Sequence, residues 1–106
     1  MQYHKLVRDR IPEIIEASGK ACVTEILPQD TYLLALDTKL NEELAEYQQS
    51  KSLEELADLL EVMEAVVKAR GYSWDDLIRL QREKRAQRGA FERKLFLLEV
   101  AEGEKA

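Results

Sequence analysis

Leu33, Leu36, Leu40, Leu44 and Tyr47 recur at steps of three and four residues, the spacing that lines side chains along one face of a helix. That rhythm predicts a helix from about Asp30 to Tyr47, and one position breaks it. Glu43 sits inside the arc of the stripe, beside Leu36, where an apolar residue would continue the pattern. The next run places Leu56, Leu59, Leu60, Met63, Val66 and Val67 on one broad apolar face. Its helix opens at S-L-E-E (52–55), a capping box with Glu55 three residues after Ser52, continues to about Arg70 and stops at Gly71. Ser73 opens a third long helix, S-W-D-D followed by Leu77, Ile78 and Leu80, which ends near Gly89. Ahead of these, Ile11 to Ala17 reads as a short helix, with Pro12 in its first turn and Gly19 past its end.

Two segments carry a different rhythm. Ala21 to Leu27, A-C-V-T-E-I-L, has β-branched residues and partial alternation, which predicts a strand. Residues 91–100, F-E-R-K-L-F-L-L-E-V, alternate imperfectly; strand and helix both fit, and a strand paired with 21–27 is preferred. The expected fold is therefore mainly α: an antiparallel helix-bundle core of three main helices plus the short N-terminal one, with a small two-stranded β element. No repeat or linker divides the chain, so 1–106 reads as a single domain. Three helices leave the face from Leu56 to Val67 incompletely covered. A homodimer or higher homo-oligomer is expected to complete the bundle.

Charge and composition then remove several classes of function. A net charge of −5 argues against a nucleic-acid polymer, which demands a basic stripe, but leaves room for a small phosphate ligand. No apolar run has the length of a signal peptide or a membrane span, so a cytoplasmic location with no membrane partner is expected. Cys22 is the single cysteine, which excludes an intrachain disulfide and reads as a small core residue before a reactive thiol.

The oddity at Glu43 belongs to a wider acidic pattern. Glu46 lies at the edge of the same stripe and Glu42 on the opposite, solvent-like side. Glu55 and Asp58 flank the apolar face of the next helix, three residues apart. The link from about Gln48 to Ser52 is short, which favours an antiparallel hairpin and brings Glu43, Glu46, Glu55 and Asp58 to one end. Four ionised carboxylates there repel, and burial adds a desolvation cost. Protonation, basic partners or a cation each relieve it, and oxygen-only donors suit Mg²⁺ or Mn²⁺ rather than zinc. Taken singly, such acids are more often solvated helix surface; it is the joint arrangement that points to a metal. A ferritin-like di-iron centre needs Glu-x-x-His, and the single histidine, His4, lies far from any such motif.

Glu42-Glu43-Leu44-Ala45-Glu46 followed by Glu55-Leu56-Ala57-Asp58 resembles the E-E-x-x-E…E-x-x-D signature of the MazG-like all-α nucleoside triphosphate pyrophosphohydrolases. That superfamily includes phosphoribosyl-ATP pyrophosphohydrolase and dimeric dUTPases. K-L-V-R-D-R-I-P-E-I-I (5–15) and E-K-R-A-Q-R-G-A-F (83–91) look like a small branch of it. The gap of residues 47–54 between the two acidic motifs is shorter than in many members. The resemblance implies Mg²⁺, with Mn²⁺ as an alternative, held by Glu43, Glu46, Glu55 and Asp58. It implies hydrolysis of the α–β phosphoanhydride of a nucleotide to monophosphate and pyrophosphate. Glu42, Glu43 and Glu46 are the implied catalytic acids, with Glu42 the weaker candidate, for a second metal or for polarising water.

A polyphosphate also asks for cations. Lys5, Arg8 and Arg10 near the N-terminus, and Lys84, Arg85 and Arg88 near the end of the third long helix, are the candidates. Lys5 and Arg8 gain weight from K-L-V-R-D, and Lys84 and Arg88 from their four-residue spacing on one face. Tyr72, Trp74 and Phe91 suit base stacking, although core packing fits each equally. The leading expectation is a house-cleaning nucleotide pyrophosphohydrolase. Phosphoribosyl-ATP hydrolysis and a non-catalytic helical interaction or regulatory module are the alternatives.

Overall fold

A computed structural model describes residues 4–103, and all the regular structure in them is helical. The helices are α1 (Ile11–Ala17), α2 (Gln29–Ser50), α3 (Leu53–Ala69) and α4 (Trp74–Arg88). The mainly α class is as expected from the hydrophobic periodicity. The chain divides into two compact units, one ending at Trp74 and the other beginning at Asp75.

In the first unit α2 and α3 pack together as an antiparallel hairpin. The turn between them depends on Lys51, whose left-handed backbone (φ 57°, ψ 21°) lets its N–H bond the Tyr47 carbonyl at 2.7 Å. At the open end, Gln29 Nε2 donates to the Ala69 carbonyl at 3.2 Å, and Arg70 meets Asp37 at 3.4 Å. Gly71 ends α3 with φ +88°, a conformation that costs a side-chain-bearing residue energy, and Tyr72 N–H closes the turn on Val67 O at 3.0 Å.

The face that α3 turns toward α2 differs from its most apolar one. Val62, in line with Glu55 and Asp58 at steps of three and four residues, is its buried residue. Leu56, Leu60 and Met63 remain 41%, 49% and 38% exposed. On α2 the buried pair is Leu36 and Glu43, seven residues apart, while Leu44 is left exposed. Cys22, expected in the core, is half-buried; desolvation and the neighbouring Glu16 carboxylate raise its thiol pKa.

The expected β element is absent among the described residues. Residues 20–28 and 94–103 carry no regular structure, and Val23 and Ile26 are fully exposed. Alternation sets which way side chains point, but a strand also needs a neighbouring backbone to complete its ladder. Neither segment forms such a ladder among the described residues.

The second unit contains the rest of α4 and the tail beyond it. Acidic Asp75 and Asp76 open that helix and Arg85 and Arg88 close it, an order that complements the helix dipole.

Candidate metal centre

The capping box at the start of α3 forms only in one direction, and that asymmetry shapes the site. Ser52 Oγ accepts from the Glu55 N–H at 3.3 Å, as the motif requires. The reciprocal bond goes elsewhere, since the Ser52 N–H donates to Ser50 Oγ at 3.2 Å. Glu55 therefore keeps its carboxylate for the hairpin. One oxygen each from Glu43, Glu55 and Asp58 lies within 4.8 Å of the other two. Two full charges at that separation repel by roughly 3 kcal/mol at an effective dielectric constant of about 20.

Glu43 carries most of the strain. It is 6% exposed, and its Oε2 is buried with no hydrogen-bond partner. Desolvation raises its pKa, and a hydrogen bond to Glu46 adds to the rise, against a smaller opposing effect of Lys39. Lys39 Nζ stands 3.3 Å from Glu43 Oε1 and 3.3 Å from Glu42 Oε2. Burial alone would lower the Lys39 pKa, but bonds to Glu42 and Glu43 and their charges outweigh it and hold the ammonium above its ordinary value. Arg8 Nη2 meets Asp58 Oδ1 at 2.7 Å, joining residues 50 positions apart.

The structure thus gathers three of the four expected ligands. Glu46 is exposed and outside the trio. Glu42 is held by Lys39. Arg8, expected on phosphate, is on Asp58 instead, and Arg10 pairs with Glu13 at 2.9 Å. Lys5 is exposed in the first unit; Lys84, Arg85 and Arg88 are exposed on α4 in the second. Of the aromatic candidates, Trp74 is half-buried, whereas Tyr72 and Phe91 are exposed. Lys39 is the residue that the motifs overlooked. Its signal was the step of three and four residues to Glu42 and Glu43, the spacing of helical ion pairs.

The donor set suits a hard divalent cation. All three candidate ligand atoms are carboxylate oxygens, and Glu43 Oε2 is a buried acceptor with no hydrogen-bond partner. A shallow groove lined by Gln29, Tyr32, Glu61, Glu64 and Lys68 lies at the open end of the hairpin, away from the acids.

No family model matches the chain, and no solved structure matches it. A protein of Mycolicibacterium smegmatis (strain ATCC 700084 / mc(2)155), described as an uncharacterized protein, is 60% identical over 42 residues. The match covers 40% of this chain and 43% of that protein, so the chain spans less than half the length of the curated relative it matches.

Proposed function

We propose that this chain is a Mg²⁺-dependent nucleotide pyrophosphohydrolase, using Mn²⁺ as an alternative ion. The observation that carries this reading is Glu43, buried with one unpartnered oxygen and grouped with Glu55 and Asp58. Evolution tolerates an orphaned buried acceptor mainly where something else satisfies it. The acidic motifs add the reaction class, through their resemblance to the MazG-like enzymes.

Glu43, Glu55 and Asp58 would hold the ion. When bound, it neutralises charge on phosphoryl oxygens and acidifies an attacking water. Lys39 fixes the orientation of the Glu43 carboxylate through its Oε1. Glu46, an exposed acid outside the trio, is the one we assign to accept the water's proton, since Glu42 is bonded to Lys39. The water oxygen bonds the α-phosphorus, and the bridging oxygen leaves with the electron pair of the broken bond. Monophosphate and pyrophosphate result. Lys5, in the same unit as the trio, is the cation proposed for the phosphate oxygens. A cytoplasmic nucleotide pool is the setting this implies; no helix among the described residues is long and apolar enough to cross a membrane.

Purified protein with Mg²⁺ or Mn²⁺, offered canonical and modified nucleoside triphosphates and phosphoribosyl-ATP, is expected to release pyrophosphate and monophosphate from at least one compound. Turnover of phosphoribosyl-ATP alone would shift the assignment to that reaction. No turnover, combined with no metal-dependent rise in melting temperature, would leave a helical interaction module as the better account.

The exposed line of Leu56, Leu60 and Met63, spaced four and three residues apart, supports a second copy packing on α3. Solution scattering is expected to give at least twice the 12.3 kDa chain mass. A monomeric mass at micromolar concentration would count against it.

A further inference from the structure

Two basic side chains of this chain cover the acid trio from its flanks, and they differ in kind. Lys39 comes from the same helix as Glu43, and its side chain is only 18% exposed. Arg8 comes from the segment before α1 and reaches across 50 positions to Asp58, with the two side chains 55% and 43% exposed. The first contact is built into α2. The second joins two partly exposed side chains from separate segments.

We propose that Arg8 is the exchangeable counter-ion of the trio, giving up Asp58 when a divalent cation binds. This rests on the metal-site reading above. The argument is one of charge and geometry. Asp58 Oδ1 is bonded by Arg8 Nη2 at 2.7 Å, while another carboxylate oxygen of the same trio, Glu43 Oε2, is buried without a partner. The guanidinium thus neutralises one corner and Lys39 meets Glu43 Oε1, which still leaves Glu43 Oε2 without a partner. A dication within reach of Glu43, Glu55 and Asp58 compensates all three, and a guanidinium kept beside it is repelled. Of the two flanking cations Arg8 is the cheaper to move, because a partly exposed ion pair contributes little to stability. The exchange also gives Arg8 a second position: once off Asp58, its planar fork is free to meet an anion, which is the phosphate role expected from the K-L-V-R-D motif.

Mn²⁺ titration of the full chain, read by electron paramagnetic resonance, tests this with Arg8→Gln. The variant is expected to bind Mn²⁺ about two- to fivefold tighter, the range that losing a competing, partly exposed ion pair supplies. Unchanged or weaker Mn²⁺ binding by the variant would overturn the exchange while leaving the metal site standing. Absence of Mn²⁺ binding in both proteins would remove the metal site and this inference together.

Discussion

Glu43→Gln is expected to raise the melting temperature of the metal-free protein and to erase its response to Mg²⁺ or Mn²⁺. The carboxylate is 6% exposed, one oxygen has no partner, and its neighbours include Glu46, Glu55 and Asp58. A neutral amide of the same shape removes the buried charge. Its oxygen still accepts from Lys39 at the position of Oε1. Relieving an unsatisfied buried acceptor is worth about 1–3 kcal/mol, and weakening the Lys39 pair takes back part of it. A net gain of about 1 kcal/mol corresponds to a rise of about 4–8 °C for a domain of this size. The unsubstituted protein should show the opposite pattern, with low stability alone and a gain of about 2.7 kcal/mol in cation at a hundred times its Kd. Thermal unfolding followed by circular dichroism, with and without MnCl₂, reads both halves. A metal-free variant less stable than the parent would mean that the carboxylate is already satisfied. A retained Mn²⁺ response would mean that Glu43 is not a ligand.

Asp58→Asn should separate chemistry from stability in the other direction. Loss of an outer partner of a metal site typically costs about 10- to 100-fold in affinity or activity, and a direct ligand should cost at least about 100-fold. Pyrophosphate release is therefore expected to fall by that factor or more. Stability should barely move. Asp58 is half-exposed, and its bridge to Arg8 is of the surface kind worth up to about 1 kcal/mol. An unaltered helical dichroism signal would show that the fold is kept. Near-normal turnover in this variant would take Asp58 out of the site. The contrast between the two substitutions follows from burial alone: the same neutralisation stabilises at the sealed position and is nearly neutral at the open one.

The hairpin was largely legible in the amino-acid order. Three- and four-residue steps located α2 and α3, S-L-E-E gave the start of α3, and Gly71 its end. The short link then brought Glu43 near Glu55 and Asp58, because local periodicity and a tight turn leave an antiparallel pair little freedom. Lys39 was also within reach, being a neighbour of Glu42 and Glu43 on the same helix. The β element was not, since partial alternation in 21–27 says nothing about whether a ladder partner arrives. Nor did the motif show that Ser50 would take the Ser52 N–H and release Glu55.

What the sequence determined by itself is what depends on neighbours a few residues apart: the helices, their caps, the left-over acid in the seam and the turn that pairs α2 with α3. Only the tertiary structure decided that Glu43 is sealed, that Glu46 stays outside the trio, and that Arg8 sits on Asp58. It also decided that α3 turns the Glu55–Asp58–Val62 edge toward α2 and leaves Leu56, Leu60 and Met63 exposed. Those outcomes rest on long-range packing and on the sum of desolvation and charge at one end of the hairpin. Such a sum exists only once residues distant in the chain share a few ångströms of space.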